Sequence, residues 1–203
     1  MGEETKNLKT KNLELVLKTP EEIRAFIQGR TPAEKAEMSA DWLAMVESAT
    51  SPDPWIHGFG VRRRERDAPI GICGFKGPPS ADGVVEIAYG IDIEHQGHGY
   101  ATEAAQALVA YALSQSGVRA VRAHTLPEEN PSTRVLTKCG FRKLGEVLDL
   151  TDHEHDESKR LPHNHSAHRI SHGSSGSPWR RFSHCHECLP MDDFLPSSET
   201  RMG

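Results

Sequence analysis

Two short stretches of this 203-residue chain hold the residues best suited to chemistry. In Gln96-Gly97-His98-Gly99-Tyr100-Ala101, two glycines flank a histidine just before a run with helical period, Ala101, Ala104, Ala105, Leu108 and Ala112. The first turn of a helix leaves N–H groups unpartnered and carries partial positive charge, so glycines there open a backbone surface to an anion such as a phosphate. A tight strand-to-helix turn is the simpler use of the same glycines. In "VVEIAYGI", strand alternation puts Val85, Ile87, Tyr89 and Ile91 on one face and Val84, Glu86, Ala88 and Gly90 on the other. A lone carboxylate among small side chains is either a proton acceptor in a cleft or an ion-pair partner, with Arg62 and Arg122 as the candidate cations.

The elements that must position these groups follow from period and punctuation. Leu13, Leu15 and Leu17 alternate in "NLELVL", which predicts a half-buried strand. Thr19-Pro20 and Thr31-Pro32 each predict a helix start, with the hydroxyl as cap and proline in the first turn; "SPDPW" ends the second helix. "HGFGVRR", "IGICGF" and "VVEIAYGI" read as a three-strand meander. The helix after the glycine turn runs to about Ser116, followed by strand "AVRAHTL", a short helix in "NPSTRVLTKCGF" and strand "FRKLGEVL". The expected fold is an α/β (α+β) domain, a mixed and mostly antiparallel sheet with helices on both faces. His124 falls in a strand and Cys139 at a helix end, both in structural roles. Trp55 reads as loop or core packing, and the Arg62 to Arg66 run as a solvated hairpin tip.

Composition narrows the partners. A net charge of -5 with 36% hydrophobic residues lacks the basic face of a nucleic-acid binder. No apolar run is long enough to cross a bilayer, and the start has no signal-peptide core, so a cytoplasmic protein without membrane contact is expected. The four cysteines do not form a disulfide framework.

Gln96 to Ala101 matches Q/R-x-x-G-x-G/A between a strand and a helix, and thereby resembles the pyrophosphate-binding signature of the GNAT acetyltransferase superfamily. "GFKGPP", "DGVVEIAYGI", "GYATEAAQALVAYA", "TLPEENPSTRVLTKCGF" and "GEV" together look like the branch related to ribosomal-protein alanine N-acetyltransferases. This resemblance covers roughly residues 12 to 148. It implies acetyl-coenzyme A as cosubstrate, held by Gln96, Gly97, His98, Gly99, Tyr100 and Ala101 at the pyrophosphate, by the Ile91 and Ile93 backbones along the pantetheine arm, and by Asn130. It implies an N-acetyltransferase acting by direct attack of a primary amine, a protein N-terminus or a small molecule, with Glu86 for proton removal. Many family members place a tyrosine on the last helix as general acid; the matching position here is Leu136. Ser132, which aligns with a serine of that branch, is the candidate replacement, a helix cap being its plainer role.

The domain organisation is an N-terminal arm at 1–11, the domain at 12–150 and a tail at 151–203. Eight of the twelve histidines lie in that tail, among Ser, Gly and Pro with little period, a composition of low order. A displaced final strand is conceivable at 178–183. His184-Cys185-His186-Glu187-Cys188 contains C-x-x-C with neighbouring histidines, but one such pair is a weak metal signal, and no metal ligands are assigned. A change of reading frame near Leu150 is a further account of the tail. The rival functions are a non-catalytic acyl-coenzyme-A-binding module and a metal-binding protein that uses the tail.

Overall fold

A computed structural model describes residues 7–66, 68–126, 130–146 and 184–188. Strands β1 (Leu8–Lys9) and β2 (Leu13–Leu17) open the domain. Leu13, Leu15 and Leu17 are all buried, as their alternation requires. Helix α1 (Pro20–Gln28) starts at a capping box in which Thr19 and Glu22 satisfy each other's backbone N–H groups. Thr31 and Glu34 repeat that device at α2 (Pro32–Ala36). The sequence reads one helix from here. Instead Ser39 caps a separate α3 (Ala40–Ser48), and Asp53 caps a single turn, α4 (Pro54–His57), within the stretch read as a break.

The meander follows as β3 (Phe59–Arg63), β4 (Pro69–Phe75) and β5 (Val84–Ile91). A 3-10 turn (Ile93–His95) leads through the glycines into α5 (Tyr100–Leu113). Then come β6 (Ala120–Thr125), α6 (Pro131–Lys138), β7 (Arg142–Glu146) and β8 (His184–Cys188). The sheet order is β1-β2-β3-β4-β5-β6-β8-β7, and β5 with β6 is its parallel pair. One sheet face carries Leu15, Phe59, Cys73, Ile87 and Val121 into a common core with Ala104, Leu108 and Leu136 of α5 and α6. Burying each large apolar side chain contributes about 1.5–3 kcal/mol. The other face carries charge: Glu14 pairs with Arg62 at 2.9 Å and Arg122 with Glu187 at 3.0 Å.

The final strand does not lie beside its chain neighbour alone. β8 sits between β6 and β7 and pairs antiparallel with both. The displaced strand expected at 178–183 lies outside the described residues; the strand that fills the gap begins at His184. His186 is buried there, its Nε2 3.3 Å from the Thr125 hydroxyl. Among the described residues no three His, Cys, Asp or Glu side chains gather as a metal site would need, and no helix is long and apolar enough to cross a membrane.

The arm is tied to α5 by one carboxylate. Glu103 accepts hydrogen bonds from the Thr10 hydroxyl, from the Asn12 N–H at 2.7 Å and from the Asn12 amide at 2.8 Å. Burial raises the Glu103 pKa, but these bonds outweigh it and hold the group below the ordinary carboxylate value. A pKa depressed in the folded state means that the contribution is complete above the unfolded value and is lost as pH falls through the folded one. Glu103→Gln is expected to cost about 1–2 kcal/mol at neutral pH. Urea melts of both proteins check this: the gap should close on acidification, and a gap independent of pH would contradict it.

Candidate functional site

The two chemistry-bearing stretches meet where the sheet opens. β5 and β6 stay in register only at Val84, Val85 and Glu86, opposite Ala120, Val121 and Arg122. Beyond that point β5 continues to Ile91 and β6 to Thr125 without pairing, β6 being bonded along its other edge to β8. The result is a wedge with Glu86 at its apex. Which backbone groups line it follows from alternation. The Lys76 N–H donates to the Glu86 carbonyl and the Asp92 N–H to the Ile70 carbonyl, so even-numbered residues of β5 face β4. Tyr89 and Ile91 therefore turn their backbone groups to the open edge. The Gln96 side-chain amide donates to the Ile91 carbonyl at 2.8 Å, which binds the glycine turn to the end of β5.

At that turn Gly97 and Gly99 both adopt positive φ, 80° and 83°, and a Cβ on either would meet nothing within 4 Å. Gly99 is the N-cap of α5 and offers no side-chain cap. Among the described residues no acceptor meets the N–H groups of residues 97–102. An open, glycine-lined surface of unpaired N–H groups at the positive end of a 14-residue helix fits a pyrophosphate. Tyr100 and Ala101 form the first helical turn. His98 is exposed, its Nδ1 2.8 Å from the Gln96 carbonyl and its ring stacked on Tyr100 at 5.6 Å. Ile93 stands past the end of β5 and is 88% exposed, a large apolar side chain at the rim of the wedge.

Glu86 is held on the charged face. Its Oε1 lies 2.8 Å from His124 Nδ1 and pairs with the Lys76 ammonium. Neither arginine weighed from the sequence reaches it, because Arg62 and Arg122 are committed to Glu14 and Glu187. Burial raises the Glu86 pKa, but the adjacent His124 ring and the Lys76 charge outweigh it, so the group lies below the ordinary carboxylate value and is ionised at neutral pH. The burial-raised carboxyl that would make a strong base is not what forms here.

On the opposite face, Tyr89 reaches across from β5 to α6. Its hydroxyl lies 2.9 Å from Ser132 Oγ, and burial pushes the phenol up to about 12, with the Ser132 hydrogen bond pulling the other way. Ser132 Oγ therefore points to a partner in the sheet. The cap of α6 is Asn130, whose side chain accepts from the N–H groups of Ser132 at 2.8 Å and Thr133 at 3.1 Å. Leu136 is fully buried in the core. Trp55 packs on Phe75 at 4.5 Å and on Tyr111 at 5.7 Å.

Sequence reasoning missed His124, Lys76 and Tyr89 as parts of the site. Tyr89 was visible as a polar-tipped residue on the same strand as Glu86. The nearness of His124 to Glu86 needs the parallel register of β5 and β6, which no local pattern carries.

A family model for the acetyltransferase (GNAT) domain matches residues 9–142. An uncharacterized N-acetyltransferase, p20 of Bacillus licheniformis, is 30% identical over 119 residues, 59% of this chain and 66% of that protein. The chain spans about half to two thirds of the length of the curated relatives it matches. A putative ribosomal-protein-serine acetyltransferase from Vibrio cholerae superposes over 91% of this chain and 97% of that one, with a TM-score of 0.55 at 17% identity. The ribosomal L7/L12 alpha-N-protein acetyltransferase RimL, solved in complex with coenzyme A, superposes over 91% and 98% with a TM-score of 0.57 at 11% identity. At such identities the two structures establish the shared fold.

Proposed function

We propose that this chain, which belongs to the GNAT acetyltransferase family, transfers an acetyl group from acetyl-coenzyme A to a primary amine, a protein N-terminus or a small-molecule amine, by direct attack. The observation that carries this reading is the wedge: β5–β6 pairing that stops at Glu86, beside a helix N-terminus whose glycines leave their N–H groups open. Acetyl-coenzyme A, the cosubstrate of the family, supplies the activated acetyl thioester.

The chain's own groups divide the remaining work. The N–H groups of Gly97, His98, Gly99, Tyr100 and Ala101 bind the pyrophosphate, with Gln96 fixing the turn against Ile91. The Tyr89 and Ile91 backbones pair with the amide-bearing arm as an added strand would. The Ile91 N–H stabilises the oxyanion that develops during acyl transfer, and the exposed Ile93 covers the arm with apolar surface. Asn130 orders the first turn of α6 and so places Ser132. Glu86, fixed as a carboxylate, attracts the acceptor ammonium and assists removal of its proton. Ser132, in reach of the Tyr89 hydroxyl, delivers a proton to the departing thiolate.

Coenzyme A thiol release, followed with peptides bearing a free N-terminal Ala or Ser and with spermidine, tests the reading. Turnover with at least one amine is expected, and Glu86→Gln should lower kcat about 10²-fold while leaving acetyl-coenzyme A affinity within about twofold, since Glu86 lies off the pyrophosphate turn. Tight binding of acetyl-coenzyme A without turnover on any amine would instead favour an acyl-coenzyme-A-binding module.

A further inference from the structure

We propose that His124 is the proton acceptor of the reaction: Glu86 orients its imidazole across the wedge, and Nε2 takes the proton from the attacking amine. This inference rests on the acetyltransferase reading above and assigns within it the base that the sequence left to Glu86.

The argument starts from what Glu86 is bound to. Its Oε1 meets the Lys76 ammonium on one side and His124 Nδ1, 2.8 Å away, on the other. With Nδ1 turned toward that carboxylate, the pairing favours the tautomer that carries its proton on Nδ1, which leaves Nε2 with a lone pair. A carboxylate held between an ammonium and an imidazole is a weak proton acceptor. The imidazole beside it can take a proton in its place, and this division of labour, an orienting carboxylate behind an imidazole, needs only that geometry.

His124 also stands in the right place. It lies two residues beyond Arg122, where β5–β6 pairing ends, and therefore on the wall of the wedge. Its side chain is 19% exposed, and no described group meets Nε2. The charged groups facing it are Glu86 of β5 and Lys76 at the end of β4, with Arg122 on its own strand bound to Glu187 of β8. The Tyr89–Ser132 pair occupies the opposite sheet face, so acceptor and donor of protons flank the wedge from its two sides.

The step balances as follows. The acceptor ammonium gives one N–H proton to His124 Nε2, and its freed lone pair forms the C–N bond at the thioester carbonyl carbon. The C–S bond breaks with its electron pair on sulfur, which gains the second proton, supplied through Ser132. His124 passes its proton to solvent, so that amide, thiol and one proton are released.

Three proteins decide the matter, wild type, His124→Asn and His124→Ala, assayed by thiol release with the same peptides and spermidine. The asparagine amide can still donate to Glu86, so His124→Asn keeps the contact at Nδ1 and lacks only the acceptor at Nε2. Expected are a fall in kcat of about 10²-fold or more, loss of the acidic limb of the kcat/KM profile, and acetyl-coenzyme A affinity unchanged by calorimetry. Imidazole added to His124→Ala should restore turnover, which a purely structural histidine would not allow. A His124→Asn enzyme with wild-type kcat and an intact acidic limb would overturn the role of His124 alone, as would His124→Ala that imidazole does not rescue. A wild type that binds acetyl-coenzyme A yet acetylates no amine would overturn the acetyltransferase reading itself, and His124 with it.

Discussion

Placing proline at His186 lowers stability by on the order of 3 kcal/mol, which for a chain of this size lowers the melting midpoint by roughly 6 to 12 °C. The reason is the position of β8. A strand between two others has both backbone edges bonded, and β8 pairs with β6 over Val121 to Thr125 and with β7 over Arg142 to Glu146. Proline removes one ladder donor and leaves an acceptor of a neighbouring strand buried without a partner. His186 is also buried, with its ring against Thr125, so the substitution removes packing as well. His186→Thr keeps the donor and suits a strand, and should cost visibly less. Truncation after Glu146 goes further, because it takes from β7 the only described strand it pairs with. Such a chain should melt without a cooperative transition in calorimetry. A truncated chain with the wild-type midpoint would show that the sheet stands without β8.

Replacing Gly99 with valine weakens acetyl-coenzyme A binding more than tenfold, on the reading that this turn holds its pyrophosphate. Two effects have to be separated. At φ 83° any β-branched residue is strained, at a cost of about 1–2 kcal/mol. The added side chain also enters the open space above the N–H groups, where nothing of the protein lies within 4 Å. Gly117 supplies the control, since it has φ 89°, equally open surroundings, and a place just beyond the far end of α5. Gly117→Val should lose similar stability and bind acetyl-coenzyme A as the wild type does. Equal affinities for the two variants in a calorimetric titration would mean that the glycines serve only the turn.

How much of the site was legible depended on the distance over which each interaction acts. The turn from Gln96 to Ala101 was readable because its requirements are local: positive φ at two glycines and a helix N-terminus directly after them. The two faces of β5 were readable because alternation has a period of two, and the burial of Val85, Ile87 and Ile91 follows it. Helices α2 to α4 were less so. A run of good helix formers does not show that Ser39 and Asp53 will start new helices, since a cap competes with simple continuation of the helix before it.

The partners of Glu86 show the limit. Two arginines were reasonable from charge alone, yet Arg62 pairs with Glu14 on β2, and Arg122, although opposite Glu86 in register, pairs with Glu187 on β8. Lys76 follows β4 directly, and His124 reaches Glu86 only because β6 lies parallel to β5. The last strand is a harder case. "HCHEC" lacks the aliphatic and aromatic residues that mark strands, and it forms one because the slot between β6 and β7 satisfies both of its edges.

The sequence by itself determined the GNAT-type order of elements, the glycine turn and the face on which Glu86 projects, because each is set by residues within a few positions of one another. Only the tertiary structure decided that the wedge opens beyond Glu86, that His124 and Lys76 close on that carboxylate, that Tyr89 meets Ser132, and that the sheet is completed from the tail. Those contacts join residues 10 to 67 positions apart, and pairing register across a sheet is fixed by the packing of the whole core rather than by any segment's own pattern.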